Sequence, residues 1–179
     1  TTSAIKNALL LGLETEVHVV ALKTVIDALL PLVEFLEKLG IKQISVLRFV
    51  PQGRGEANSD HLLPNANDFV KLSRTLRHLL KRNTSTNCRI GSPFNFLMVK
   101  KPTPCNSGKT RMIIDSEGFA YPCDALKQFK INFSRNDNVY GSPLSEIIQN
   151  GKFFRLIQET ALPAECESCV HVKKCLGGC

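Results

Sequence analysis

Six of the seven cysteines in this chain fall into one spacing pattern. Cys105 is followed by twelve residues, Gly118, four residues and Cys123; after a gap come Cys166, Cys169, Cys175 and Cys179, written C-x2-C-x5-C-x3-C. Thiols grouped in this way bind zinc, bind iron-sulfur clusters, or pair as disulfides. The first residues, TTSAIKNALL, lack the charged start, apolar run and small-residue cleavage site of a secretory signal, so a cytoplasmic, reducing setting is expected and disulfides are disfavoured. Zinc is the serious competitor, because a C-x-x-C turn grips one tetrahedral ion with two thiolates. The x3 step points to clusters: in two-cluster ferredoxins the cysteine after such a step ligates the other cluster. A similar crossover has Cys166, Cys169 and Cys175 at one cluster and Cys179 beside Cys105 and Cys123 at another. Each set then has three thiolates where four are usual, so either an iron is open or a ligand lies past residue 179. The seventh cysteine, Cys88, stands in another segment and reads as a plain buried or semi-exposed thiol.

Elements able to position these thiols divide the chain near residue 85, into 1–85 and 86–179. Residues 2–11 read as the end of a helix. Glu16 to Ala21 (EVHVVA), rich in β-branched residues, reads as a strand, with His18 as a packing residue inside it. Apolar positions over Leu29 to Leu39 recur at helical spacing and stop at Gly40. Gln43 to Val50 is a second strand, closed by Pro51-Gln52-Gly53-Arg54-Gly55. Strand, long crossover helix, strand makes a parallel βαβ unit. Asn67 to Lys81 adds an amphipathic helix with Phe69, Leu72, Leu76, Leu79 and Leu80 inward. A lone unit of this kind leaves one strand face unburied, so a partner covers it or the chain is a piece of something longer. Farther on, Arg111–Asp115 and Phe119–Pro122 flank the turn Ser116-Glu117-Gly118, a hairpin with Cys123 at its end. Pro143 opens a helix expected to run to about Glu159.

The balance of 23 basic and 16 acidic residues, net +7, suits an acidic partner. Lys71, Arg74, Arg77, Lys81 and Arg82 share helical spacing and read as a solvated face; no aromatic residues interleave with the charges, so nucleic acid is an unlikely partner. Glu14, Glu16, Lys23 and Asp27 interrupt the apolar start, which leaves no membrane span.

The cysteine pattern resembles that of the SPASM domain of radical S-adenosylmethionine enzymes. EVHVVALKTVIDALLPLVEFLEKLGIKQISVLRFVPQGRG is similar to the fifth and sixth strands of their partial barrel with the connecting helix. The resemblance covers essentially the whole chain and implies an α/β fold: the C-terminal part of a partial (β/α)6 barrel, then a small α+β SPASM domain of hairpin, helix and cysteine-rich loops. It departs in two places. The C-x3-C-x2-C motif of the catalytic cluster is absent, as are four barrel strands, and the pattern stops before the family's last cysteine. The chain is therefore expected to be truncated and inactive by itself.

For the site, the resemblance implies two auxiliary [4Fe-4S] clusters, the first on Cys105, Cys123 and Cys179, the second on Cys166, Cys169, Cys175 and one further cysteine. No cysteine lies in Asn106 to Pro122, so the first cluster is expected to keep an open iron. Asp124 stands where sulfatase-maturing relatives carry a proton-accepting aspartate; read locally, it caps a turn. Arg48, Val50 and Gln52, with Arg54 nearby, end the second strand, where a barrel meets its cofactor or substrate. His171 is a hydrogen-bond donor to the cysteine loop or an exposed residue. A full-length relative would cleave S-adenosylmethionine reductively, abstract a substrate hydrogen through the 5'-deoxyadenosyl radical, and use the auxiliary clusters for the electron. Expected partners are a peptide or protein substrate, with an acidic leader suiting the charge, and an electron donor such as flavodoxin or ferredoxin. A small-molecule substrate such as a tetrapyrrole, and a zinc-binding nucleic-acid module, are the alternatives.

Overall fold

The computed structural model describes residues 1–90, 94–101, 105–127 and 134–176. The chain divides into two compact units, Thr1–Thr103 with Lys173–Cys179, and Pro104–Val172.

In the first unit, α1 (Thr2–Leu10) precedes a three-stranded parallel sheet of β1 (Glu16–Ala21), β2 (Gln43–Arg48) and β3 (Asn87–Ile90), ordered β1-β2-β3. Glu16 pairs with Gln43 and Gln43 with Asn87. The third strand lies beyond residue 85 and is too short, at four residues, for its alternation to stand out. The first crossover is α2 (Leu29–Lys38), whose Leu29, Val33 and Leu36 are buried. Gly40, at φ 94°, ends it: its N–H bonds Glu37 O while the Ile41 N–H reaches Leu36 O. The second crossover holds two single turns, α3 (Arg54–Ala57) and α4 (Ser59–Leu62), and then α5 (Ala66–Lys81).

Asn65 starts α5 with a capping box: its Oδ1 accepts the Asp68 N–H, and Asp68 Oδ2 accepts the Asn65 N–H, both at 3.0 Å. Leu72, Leu76 and Leu79 face the core. Leu80, expected inward, is 37% exposed, because one residue turns the helix by about 100° away from Leu79. Each fully buried aliphatic side chain contributes about 1.5–3 kcal/mol. The exposed Lys71–Asp27 pair, at 2.9 Å, contributes under about 1 kcal/mol. Packing, not pairing, holds α5 down.

Strand parity separates the two faces of this sheet. Val17, Val19, Ala21, Ile44, Val46, Cys88 and Ile90 pack with the helices in one core. Glu16, His18, Gln43, Ser45, Asn87 and Arg89 share the other face by register. There Glu16 Oε1 accepts from Ser45 Oγ (2.6 Å) and from Arg89 Nε and Nη2 (3.1 and 2.7 Å), and His18 Nε2 lies 3.3 Å away. His18, expected to pack inside the strand, is 55% exposed in its side chain, since its parity matches Glu16 and not Val19.

The Ser45 hydroxyl and then the Arg89 guanidinium hold the Glu16 carboxyl below the usual glutamate range. The folded state thus binds this proton more weakly than the unfolded chain. The resulting stability is complete above the unfolded pKa and is lost as pH falls through the lower folded value. We expect Glu16→Gln to flatten that acid limb of the denaturation midpoint measured against pH, leaving the midpoint's remaining pH dependence in place.

The second unit contains the antiparallel strands β4 (Ile113–Ile114) and β5 (Ala120–Tyr121), then α6 (Leu144–Asn150), α7 (Lys152–Glu159) and α8 (Ala164–Glu167); α9 (Val172–Cys175) spans the division between units. Ala120, Ile147 and Phe154 form its core with Met112, Val139 and Ile148, and the Phe153 ring lies 5.4 Å from that of Tyr121. The single helix expected from Pro143 to Glu159 is two. Gly151 takes an extended backbone (ψ 141°) between them, and Pro143 caps α6 from outside.

Asp137, 3% exposed, ties this break down: Oδ1 accepts the Lys152 N–H (2.6 Å), and Oδ2 accepts the N–H and hydroxyl of Ser134 (2.8 and 2.9 Å). Asp137→Ala removes the acceptor of these three part-buried bonds, which we expect to cost about 2–4 kcal/mol in chemical denaturation of the second unit.

Candidate metal centre

The hairpin that ends at Cys123 is built from its turn. Ile113 pairs with Tyr121 and Ile114 with Ala120, and strands this short do not hold themselves together. Asp115 supplies the missing order. Its Oδ1 accepts the N–H of Glu117 and of Phe119, each at 2.9 Å, and its Oδ2 accepts the Tyr121 hydroxyl at 3.1 Å. The strands expected over Arg111–Asp115 and Phe119–Pro122 are shorter, and next to the turn the carboxylate takes the Phe119 N–H that a ladder would use, while the Asp115 N–H still bonds Phe119 O at 3.0 Å. Gly118 turns at φ 86°. Asn138 Nδ2 bonds Glu117 O (2.8 Å) and the Val139 N–H bonds Gly118 O (2.9 Å), which clamps the turn from outside.

Two cysteine-bearing segments adjoin at this hairpin. The Gly108 N–H is shared between Arg111 O (3.0 Å) and Pro122 O (3.3 Å), so the stretch after Cys105 runs beside the residue before Cys123. Cys105 is exposed, with its thiol 3.2 Å from Ser107 Oγ; Cys123 is half-buried. Asp124 follows in a short 3-10 turn (Asp124–Leu126), and its Oδ1 lies 2.9 Å from Lys127 Nζ. Cys123 is the N-cap residue of that turn and makes no side-chain cap hydrogen bond.

Cys166 and Cys169 share the turn after Pro163, where the Cys166 N–H bonds Pro163 O (2.8 Å) and the Cys169 N–H bonds Cys166 O (3.2 Å). Cys175 ends α9, and His171 before it is exposed. Cys179 lies outside the described residues. The described cysteines Cys105, Cys123, Cys166, Cys169 and Cys175 carry free thiols. Their chemistry therefore suits thiolate-bound iron or zinc. Among the described residues, no three Cys, His, Asp or Glu side chains converge as a metal-binding group. Cys88 packs into the core of the first unit, and burial pushes its thiol pKa up, with Glu37 adding to the effect.

At the carboxyl edge of β1 and β2 lies a pocket of about 300 Å3 lined by Ala21, Arg48, Pro51, Phe69, Phe94 and Phe96 among others. Phe69 and Phe96 meet edge to face at 5.2 Å. Arg48 follows the parity of Ile44 and Val46, so it stands on the helix-covered side of the sheet; Val50 and Gln52 are half-buried just beyond it. Sequence reasoning missed the Glu16–Ser45–Arg89 cluster and the Asp115 clamp. The first needs the strand register, and the second needs the turn geometry.

Residues 105–170 match the family model of SPASM, an iron-sulfur cluster-binding domain. That segment holds Cys105, Cys123, Cys166 and Cys169, and the chain as a whole resembles part of the radical SAM/SPASM enzymes, in a mixed α/β fold. Streptococcus suis SuiB bound to S-adenosylmethionine superposes with a TM-score of 0.70 at 19% identity, over 99% of this chain and 43% of SuiB. SuiB bound to its precursor peptide SuiA gives 0.68 at 19% identity over the same shares. anSMEcpe with bound AdoMet gives 0.66 at 16% identity, over 99% of this chain and 50% of that one. This chain thus spans half or less of the length of these relatives. No curated protein matches it.

Proposed function

We propose that these two units are the C-terminal part of a radical SAM/SPASM enzyme that modifies a peptide or protein in the cytoplasm. The observation that carries this reading is the SPASM match over 105–170, within a chain whose fold follows SuiB almost from end to end. SuiB has been seen with a precursor peptide, and the +7 charge of this chain suits an acidic leader. Among the described residues no helix is long and apolar enough to cross a membrane.

When bound, two auxiliary clusters and S-adenosylmethionine supply one-electron chemistry and hydrogen abstraction. Cys105 and Cys123, with Cys179, hold the first cluster; Cys166, Cys169 and Cys175 hold the second with a ligand from elsewhere. The hairpin runs the stretch after Cys105 beside the residue before Cys123 and leaves Cys105 at the surface, where a cluster with an open iron would be within reach of substrate. Asp124 accepts a substrate proton at its carboxylate, and Lys127 holds that carboxylate in place. Arg48, Val50 and Gln52 orient S-adenosylmethionine at the strand ends. A flavodoxin or ferredoxin brings the electron.

The test incubates the whole enzyme with S-adenosylmethionine, a low-potential reductant and a peptide encoded beside its gene, and reads the peptide's mass. Loss of peptide hydrogen, abolished by Asp124→Asn, supports the reading. S-adenosylmethionine cleavage with an unchanged peptide overturns the peptide assignment and directs the search to small molecules.

A further inference from the structure

We propose that Asp115 is a positioning residue for the first cluster, setting the spacing of the Cys105 and Cys123 thiols through the Tyr121 hydroxyl. This rests on the reading that those two cysteines are cluster ligands. The hairpin has only two paired residues per strand and one further backbone bond, from the Asp115 N–H to Phe119 O at 3.0 Å, so the carboxylate reinforces a register that the short ladder holds weakly. Three donors reach that carboxylate: the Glu117 N–H, the Phe119 N–H and the Tyr121 hydroxyl. The first two bend the turn. The third reaches across to β5, two residues before Cys123.

Between Tyr121 and Cys123 stands Pro122, fully buried, whose carbonyl accepts the Gly108 N–H. Gly108 follows Cys105 by three residues and leaves little slack: at φ 68°, a Cβ there would lie 3.3 Å from Pro122 Cβ and 3.4 Å from the Phe154 ring. One continuous set of contacts therefore runs from Asp115 through Tyr121 and Pro122 to Gly108. A shift of the Tyr121 end would change the separation of the two thiols. Tyr121 is 7% exposed and its ring is held 5.4 Å from that of Phe153, so the hydroxyl cannot swing to another acceptor without disturbing the core.

Residues that orient a metal ligand typically change metal affinity by about 10–100-fold when replaced. The test uses the cluster-loaded whole protein, with Tyr121→Phe and Asp115→Ala, and reads iron loss to a chelator, the electron paramagnetic resonance of the reduced clusters, and the fold by circular dichroism. Tyr121→Phe removes one oxygen and keeps the ring, so it folds. We expect about tenfold faster loss of one cluster's iron, a changed signal for that cluster alone, and an unchanged second cluster. Asp115→Ala should do the same more strongly, and Asp115→Asn, which retains an acceptor for the turn, should recover part of the loss. An unchanged signal and loss rate in Tyr121→Phe overturns the proposal whether or not Asp115→Ala folds. If replacing Cys105 or Cys123 itself leaves both clusters in place, the ligand assignment fails instead.

Discussion

If the proposed ligand sets hold, replacing Cys123 by alanine is expected to remove about half of the auxiliary iron and sulfide, close to four of eight iron, and to leave the other auxiliary cluster bound. The reason is that the cysteines fall into sets on separate local structures. Cys123 ends the hairpin beside the Cys105 segment, whereas Cys166 and Cys169 share one turn after Pro163. Cys123 heads its 3-10 turn through its backbone, with the Leu126 N–H bonding its carbonyl at 3.2 Å, so loss of the thiol leaves the loop standing. Iron and sulfide assays with low-temperature electron paramagnetic resonance would read the result. Unchanged iron would remove Cys123 from the ligand set.

Gly118→Ala is expected to destabilise the second unit by about 2–4 kcal/mol, combining the penalty of a left-handed backbone with overpacking. At φ 86° the new Cβ would stand 2.6 Å from Tyr140 Cε2 and 2.8 Å from Asn138 Oδ1. The two contacts differ in how far they can give. Tyr140 is 82% exposed and can turn aside. Asn138 cannot, because its Nδ2 is bonded to Glu117 O and its Oδ1 accepts the Tyr140 N–H at 2.9 Å. Tyr140→Ala in the same chain should therefore recover only part of the loss, a difference that chemical denaturation of the single and double variants resolves.

Gly118 also shows which part of the candidate site was legible in the sequence, namely the turn and the spacing of the cysteines. The glycine and the cysteines are chemical necessities at fixed spacings, one for a backbone that other residues rarely adopt, the others for thiolate ligation. The βαβ unit was legible for a similar reason, since α2 and α5 carry their buried leucines at helical spacing and β1 and β2 are rich in β-branched residues. What escaped depends on neighbours distant in sequence. β3 is identified by its pairing with β2, and the Glu16–Ser45–Arg89 cluster exists only once that pairing sets the register. Asp115 looks like an ordinary turn residue until its second oxygen is found on Tyr121. The break at Gly151 was hidden because the apolar pattern carries on through it from Ile147 to Phe154.

On the proposed reading, the six patterned cysteines hold iron-sulfur clusters. The most direct measurement is iron, sulfide and zinc per chain in the anaerobically purified whole protein, against a variant with all six replaced by alanine. Two [4Fe-4S] clusters on these cysteines give a difference of about eight iron and eight sulfide, with no zinc. Stoichiometric zinc lost with the cysteines, and no sulfide, would contradict it.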